Sequence, residues 1–190
     1  MRTPRLGPGQ VCIGIALMVP PPLDGRLRQL RRACGDPDAD AAPPHITVIP
    51  PAPVGRTALP GILRHVQTEA ARFRRFQVRL HGAGSFCPVS PVVFAKVAEG
   101  FKDCQALEAR LRPALEGLEA CFPYHPHVTV AQDTPQAQLD QAAEALDGFD
   151  EWFSVEELEV SQLEPDAVWR PLRRFPLAAP TFGNHQVGCI

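Results

Sequence analysis

The sequence predicts a mixed α and β fold built from two similar halves. Hydrophobic residues make up 45% of the 190 residues and charged residues 21%, which is typical of a globular protein. Short apolar strand patterns alternate with helical patterns along the chain. The tetrapeptide His-Ile-Thr-Val at 45–48 returns as His-Val-Thr-Val at 127–130, and a helical pattern precedes each copy. This repeated order indicates two related halves.

The first half is predicted to run strand, helix, strand, helix, strand. An apolar run over 11–19 predicts a buried opening strand. Leu23, Leu27 and Leu30 then recur at helical spacing until Gly35. The remaining elements of this half are a strand at 45–49, a helix within 57–73 and a strand at 76–80.

The second half repeats that order and adds a final strand. The helix that follows its first strand carries an apolar stripe from Phe101 to Leu118. The predicted elements are a strand at 92–97, this helix, a strand at 127–131, a helix near 136–147, a strand near 153–163 and a strand near 168–175. We therefore expect one folded domain over 11–177, with loose termini at 1–10 and 178–190.

Composition excludes several classes of protein. With 19 basic and 21 acidic residues, the chain has neither a basic arm for nucleic acid nor an acidic tail, so an anionic ligand needs a local site. The six cysteines form no C-x-x-C pair, which predicts reduced thiols in a cytoplasmic protein. No apolar run approaches the length of a membrane span.

The repeated motif places two kinds of polar side chain on one face of each strand. Residues two apart in a strand project from the same face, so His45 lies beside Thr47 and His127 beside Thr129. The intervening residues Ile46, Val48, Val128 and Val130 point into a core. If a pseudo-twofold axis relates the halves, both pairs converge on one cleft.

Two imidazoles and two hydroxyls that face one site suit phosphodiester chemistry. One imidazole accepts a proton while the other donates one. The threonine hydroxyls donate hydrogen bonds to the non-bridging oxygens of the phosphate. A strained 2′,3′-cyclic phosphate needs only water as the nucleophile, and in the reverse direction a ribose hydroxyl attacks. The pattern therefore predicts a catalytic set of His45, Thr47, His127 and Thr129.

The paired motifs resemble those that define the 2H phosphoesterases, which carry two His-x-Thr/Ser-x motifs with hydrophobic x. The resemblance covers about residues 11–176 and includes the segment 122–127 (FPYHPH) ahead of the second motif. It is greatest to the bacterial branch of 2′-5′ RNA ligase-like proteins, or RNA 2′,3′-cyclic phosphodiesterases. The resemblance implies a bilobal α+β fold in which two antiparallel sheets line a central cleft, with helices outside.

The same resemblance implies activity without a metal or other cofactor on 2′,3′-cyclic phosphates or 2′-5′ linkages. It assigns the base to His127 and the acid to His45, and the pseudo-symmetry also permits the reverse assignment. The expected substrates are RNA ends or nucleotide cyclic phosphates, and we expect a cytoplasmic monomer that does not bind membranes. The alternative is a non-catalytic module that binds RNA or a nucleotide in the same cleft, although such a module has no need of two proton-transfer groups.

A zinc site is a further alternative. His125 and His127 lie two residues apart and can chelate zinc with a third ligand such as His65 or His81. Pro126 between the two histidines makes the strand entry irregular, and no acidic or cysteine partner stands at ligand spacing. We therefore favour His125 as a polar residue of the loop beneath the site.

Substrate bases need stacking platforms beside the cleft. Phe86 follows a glycine-rich turn, Tyr124 stands three residues before the second motif, and Trp169 begins the last strand. Arg170 is next to Trp169 and is a candidate for contact with the terminal phosphate. We take these four as candidate substrate-binding residues, with core or rim packing as the alternative for each ring.

Overall fold

A computed structural model of the chain describes residues 4–115 and 122–179. The strands in this part of the chain are β1 (Gln10–Met18), β2 (His45–Gly55), β3 (Phe76–Ser85), β4 (Val92–Glu99), β5 (His127–Gln132), β6 (Asp150–Val155), β7 (Glu157–Leu163) and β8 (Trp169–Pro176). The helices are α1 (Leu23–Ala33), α2 (Leu59–Arg72), α3 (Phe101–Leu111) and α4 (Gln136–Ala145), and a short 3₁₀ turn covers Arg112–Ala114.

The eight strands form one antiparallel sheet with the order β6-β3-β4-β5-β2-β1-β7-β8. Each half of the sheet has four strands, and β2 and β5 join the halves through the single pair Ile46 and Val128. The two expected sheets are thus the two halves of one continuous sheet. Ile46 and Val128 hold the same position in their motifs, so the pseudo-twofold axis passes between them.

The two halves exchange strands. β3 follows α2 in the first half of the chain but pairs with β4 of the second half. β7 follows α4 in the second half but pairs with β1 of the first half. The sheet therefore interlocks the halves, which is why the strands that carry the two motifs stay side by side.

One face of the sheet forms the core and the other stays open. Ile46, Val48, Val128 and Val130 are fully buried on the face against which the helices pack. Side chains alternate between the two faces of a strand, so the motif histidines and threonines lie on the open face. The expected placement of the motif side chains follows directly from this alternation.

The helices begin and end where their residues predict. Leu23 and Leu27 of α1 are buried at helical spacing. The helix α3 ends at Leu111 because Pro113 cannot continue it, and a 3₁₀ turn follows. Leu118, which the sequence placed on the same stripe, lies outside the described residues.

The strand predicted near 153–163 is wrong as a single element. It is two strands, of which β6 pairs with β3 and β7 pairs with β1, at opposite ends of the sheet. Before Glu156 the buried apolar residues have odd numbers, Phe153 and Val155, and after it they have even numbers, Leu158 and Val160. A one-residue change of phase turns the following side chains to the other face, so the chain must break there.

Two other strands run further than predicted. β2 continues through Pro50, Pro51 and Pro53 to Gly55, and its register with β1 is irregular between Ile13 and Ile15. Such irregularities accommodate prolines, which have no N–H for the ladder. β3 continues to Ser85 through a second irregularity beside Gly82.

Candidate active site

The four motif side chains surround the point where the two halves meet. His45 and Thr47 flank Ile46, and His127 and Thr129 flank Val128, its antiparallel partner. In an antiparallel pair the residue before one partner faces the residue after the other. His45 therefore lies across from Thr129, and Thr47 across from His127. All four are partly buried, and the two imidazoles occupy diagonal corners of one polar patch.

The two imidazoles are held in the same tautomer by matching hydrogen bonds. Nδ1 of His45 lies 2.7 Å from the carbonyl oxygen of Pro43. Nδ1 of His127 lies 2.7 Å from the carbonyl oxygen of His125. A carbonyl can only accept, so Nδ1–H donates in both cases. Nε2 of each ring is left to exchange protons at the open face.

Burial lowers the pKa of both motif histidines. The pKa of His127 falls to about 4, chiefly through burial and further through the positive charges of His125 and His45. The pKa of His45 also falls below its ordinary value of 6.5, again chiefly through burial, with Arg31 lowering it and Glu159 raising it. Burial thus favours the neutral imidazole, the form that a general base requires, at both positions.

A buried ion pair fixes the loop that leads into the first motif. Nε of Arg31 lies 2.7 Å from Oδ2 of Asp36, and both side chains are almost completely buried. The same guanidinium donates to the carbonyl oxygens of Asp38 and Ala42. The loop that supplies the Pro43 carbonyl to His45 is therefore anchored to α1.

Tyr124 links the loop before the second motif to the strand of the first. Its hydroxyl donates a hydrogen bond of 3.0 Å to the carbonyl oxygen of Thr47, and its ring packs against the core. Burial raises the pKa of this hydroxyl. The candidate stacking residue thus already contacts both motif segments.

An aromatic cluster surrounds His127. The ring centroids of Phe86 and Phe94 each lie 4.9 Å from that of His127, and 4.5 Å from each other. Phe94 lies across Gly84, where a Cβ would come within 2.3 Å of the ring. His125 also contacts both phenylalanine rings. Sequence reasoning found Phe86 but missed Phe94, whose signal was a large ring at an open-face position of β4.

The other two candidate binding residues point to opposite faces. The ring of Trp169 lies 3.4 Å from the position of a Cβ on Gly14, at the first-motif end of the open face. Arg170 follows it directly in β8, so its side chain projects from the other face. Its guanidinium is paired at 2.5 Å with Asp166. The structure brings Trp169, but not Arg170, to the open face.

Two charged residues of this face were not singled out from the sequence. Lys96 of β4 is the register partner of His127. Glu159 of β7 is the register partner of Ala16 and is only 4% exposed. Its carboxylate accepts hydrogen bonds from Ser161 Oγ at 2.8 Å and Arg174 Nε at 2.9 Å. A glutamate inside the apolar alternation of β7 was the available signal.

The remaining polar candidates lie elsewhere or outside the described residues. Nε2 of His65 lies 2.8 Å from the carbonyl oxygen of Arg110, and His81 is exposed beside Asp150. Residues 4–115 and 122–179 contain no group of three or more histidine, cysteine or acidic side chains placed to hold a metal ion. Cys12, Cys34, Cys87 and Cys104 are free thiols. His185, Cys121 and Cys189 lie outside the described residues.

Comparison with known families places the chain. The family model of the 2′-5′ RNA ligase superfamily matches residues 19–167, a range that includes both motifs. The chain belongs to this superfamily. None of the helices in the described residues is long and apolar enough to cross a bilayer.

Two curated relatives of this superfamily member come from bacilli. A Bacillus licheniformis protein named "Putative phosphoesterase" is 28% identical over 97 residues, which are 51% of this chain and 57% of the relative. The Bacillus cytotoxicus protein of the same description is 27% identical over 126 residues, or 66% of this chain and 72% of the relative. The matched region thus spans little more than half of the first relative and about seven tenths of the second.

Solved structures share the 2H phosphoesterase fold of this superfamily member. The crystal structure of Escherichia coli LigT with 3′-AMP superposes with a TM-score of 0.67 at 21% identity, covering 88% of this chain and 98% of that chain. TT0787 of Thermus thermophilus gives 0.61 at 23%, with the same coverage. Usb1 of Kluyveromyces marxianus with uridine monophosphate gives 0.52 at 11%, covering 89% and 98%. These identities establish a common fold.

Proposed function

We propose that this chain is a phosphodiesterase that hydrolyses 2′,3′-cyclic phosphates at RNA ends or on nucleotides. Reversible 2′-5′ RNA ligation is the related reaction, in which a ribose 5′-hydroxyl opens the cyclic phosphate in place of water. Membership of the 2′-5′ RNA ligase superfamily supports phosphoesterase or ligase-like activity. The observation that carries the finer proposal is the matched pair of Nδ1 hydrogen bonds at His45 and His127. They leave two Nε2 atoms free on one face.

In the forward reaction water attacks the phosphorus of the cyclic ester. His127, whose pKa is about 4, is neutral at physiological pH and accepts the proton from water at Nε2. One bond from phosphorus to a ribose oxygen breaks as the new bond to water forms. His45 in its imidazolium form donates the Nε2 proton to that departing oxygen. Opening the ring leaves a phosphomonoester and a free hydroxyl, and one proton has passed from water to His127 and another from His45 to the ribose oxygen.

The other motif residues act on the phosphate charge. The hydroxyls of Thr47 and Thr129 stand on the same face as the imidazoles and can donate to the two non-bridging oxygens. Donors that are already placed where charge develops stabilise the transition state without reorganisation. Tyr124 is a positioning residue in this proposal because its hydroxyl holds the Thr47 backbone.

Substrate bases are proposed to stack at the two aromatic ends of the patch. Phe86 lies against His127, and Trp169 lies over Gly14 on the same face of the sheet. One LigT structure contains 3′-AMP and one Usb1 structure contains uridine monophosphate, which supports a nucleotide ligand here. Arg170 has no role in the proposed binding site, because its guanidinium is paired with Asp166. The free thiols support the proposal of a cytoplasmic location.

The test is to incubate the protein with nucleoside 2′,3′-cyclic monophosphates and follow the products by phosphorus NMR, in the presence of a metal chelator. We expect the cyclic signal to be replaced by one phosphomonoester signal. A protein that binds these compounds in calorimetry without turnover would support the binding module instead. Turnover lost in chelator and restored by zinc would support the zinc alternative at His125 and His127.

A further inference from the structure

The open face of the sheet continues beyond the paired motifs toward the edge strand β6. Lys96 of β4 is the partner of His127. Beyond it, Arg79 of β3 is the partner of Trp152 of β6. The neighbours of Trp152 and Lys96 in their strands, such as Phe153 and Val97, are buried in the core. Lys96 and Trp152 therefore project from the same face as His127.

Trp152 is an exposed aromatic platform with a rigid backing. Its side chain is 55% exposed on the surface of the sheet. The guanidinium of Arg79 packs on the indole ring at 5.7 Å from its centroid. Asp150 holds that guanidinium with two hydrogen bonds of 2.6 and 2.7 Å. One ring face is thus covered by a fixed group, and the other is open to a planar ligand.

Lys96 supplies the free positive charge between the two sites. Within the described residues it makes no ion pair, whereas Arg79 is neutralised by Asp150 and faces Glu99 across the strands. The Lys96 ammonium lies 3.7 Å from the position of a Cβ on Gly82, so the missing side chain of that glycine leaves it room. An unpaired ammonium beside the candidate base suits a phosphate oxygen of a ligand.

The spacing fits a short single strand. From β5 to β6 there are three strand separations, or about 14 Å across the sheet. A mononucleotide bound at His127 cannot cover that span, whereas a nucleotide chain can place one phosphate at Lys96 and a base at Trp152. Sheet surfaces with exposed aromatic rings bind single-stranded RNA in this manner.

We infer that the Lys96–Trp152 strip, defined as Lys96, Gly82, Arg79 and Trp152, binds the nucleotides that precede the cyclic phosphate of a single-stranded RNA. Lys96 contacts the first internucleotide phosphate and Trp152 stacks with a preceding base. This inference rests on the proposed function and specifies its substrate as an RNA end rather than a free nucleotide.

The test compares two substrates on the same protein. One is uridine 2′,3′-cyclic phosphate and the other is a uridine trinucleotide that ends in a 2′,3′-cyclic phosphate. We expect the ratio of kcat/KM for the trinucleotide over the mononucleotide to be well above one. Stacking of one base predicts that Trp152→Ala lowers this ratio about 5- to 150-fold, whereas Trp152→Phe keeps most of it. Leu172→Ala, at an exposed apolar residue of the opposite edge strand β8, is the matched control.

A second readout concerns the charge of Lys96. Lys96→Gln should make the slope of log(kcat/KM) for the trinucleotide against log salt less steep by about 0.7. A wild-type ratio near one, or a ratio that Trp152→Ala leaves unchanged, would overturn the inference while the proposed function stands. A wild-type protein that hydrolyses neither compound would overturn the proposed function and the inference together. If Trp152→Ala does not fold, a fluorescence measurement decides. The trinucleotide 3′-phosphate should quench the tryptophan fluorescence of the wild type and quench that of Trp152→Phe less.

Discussion

Glu159 and Gly84 occupy equivalent positions in the two halves of the sheet. Each pairs with the residue that faces a motif threonine from the neighbouring strand. Glu159 pairs with Ala16, the partner of Thr47. Gly84 pairs with Phe94, the partner of Thr129. The first half thus combines a small residue with a buried carboxylate, and the second combines a large ring with a glycine. The pseudo-twofold site therefore has a charged end at His45 and an aromatic end at His127.

This asymmetry gives His45, but not His127, a carboxylate that favours the protonated imidazole. The negative charge of Glu159 raises the pKa of His45 against the larger lowering by burial and the lowering by Arg31, whereas the neighbouring charges at His127 only lower its pKa. Glu159→Gln should therefore lower the pKa of His45. In a plot of kcat/KM against pH, the limb that falls on the alkaline side should then move to lower pH. Glu157→Gln is the matched control, because Glu157 is on the same strand and contacts the same Arg174 at 3.7 Å. An unmoved limb in Glu159→Gln would reject the assignment of His45 as the acid.

The wild-type pH profile is a second prediction. Activity needs neutral His127 and protonated His45, so kcat/KM should be bell-shaped. It should rise as His127 loses its proton at about pH 4 and fall as His45 loses its proton below 6.5. Measurements of kcat/KM on a cyclic mononucleotide should place the maximum below pH 6.5. A maximum on the alkaline side of 6.5 would contradict the two lowered pKa values.

The anchored loop before His45 predicts a stability effect. Arg31→Met leaves Asp36 as an unpaired buried charge, which typically costs about 3–5 kcal/mol of unfolding free energy. Arg32→Met breaks an exposed pair with Asp40, and it should leave the unfolding free energy almost unchanged because solvent screens that pair. Urea denaturation of the two variants beside the wild type measures both. Equal midpoints for Arg31→Met and Arg32→Met would show that the buried pair does not hold the loop.

The threonines predict a smaller loss than the histidines. Thr47→Val and Thr129→Val each remove one donor to the phosphoryl oxygens at nearly constant volume, and each should reduce kcat by about 10- to 10³-fold. Thr68→Val is the control, because Thr68 is exposed on α2 and its hydroxyl bonds only within the helix. Steady-state kinetics on a cyclic mononucleotide test this. Wild-type kcat in both motif variants would remove the threonines from the mechanism.

The motif strands and the faces on which their side chains lie were predictable because their signals are local. Alternation within the motif strands places His45 and His127 opposite the buried Ile46 and Val128 from sequence alone. The neighbours of these residues were not predictable in the same way. That Lys96 lies beside His127 depends on the β4 and β5 register, and that Glu159 lies beside Ala16 depends on the exchange of β7 into the first half. Both pairings join residues distant in sequence, and no local pattern specifies them.

Arg170 illustrates the limit of adjacency in sequence. It is next to Trp169, but successive strand residues face opposite ways, and Asp166 four residues earlier provides a partner. The change of phase at Glu156, by contrast, is visible in the sequence, since apolar residues move from odd to even positions there. This change of phase marks the boundary between β6 and β7.

The central claim is that His45 and His127 act as one acid–base pair, and a double-mutant cycle on hydrolysis of a nucleoside 2′,3′-cyclic monophosphate tests it most directly. His45→Ala and His127→Ala should each reduce kcat by about 10²- to 10⁴-fold, while His65→Ala, at a histidine outside the site, retains wild-type kcat. The double variant should lose less than the product of the two single losses, because the pair acts as a unit. Near-wild-type turnover in either single motif variant, or losses that multiply in the double variant, would contradict the account.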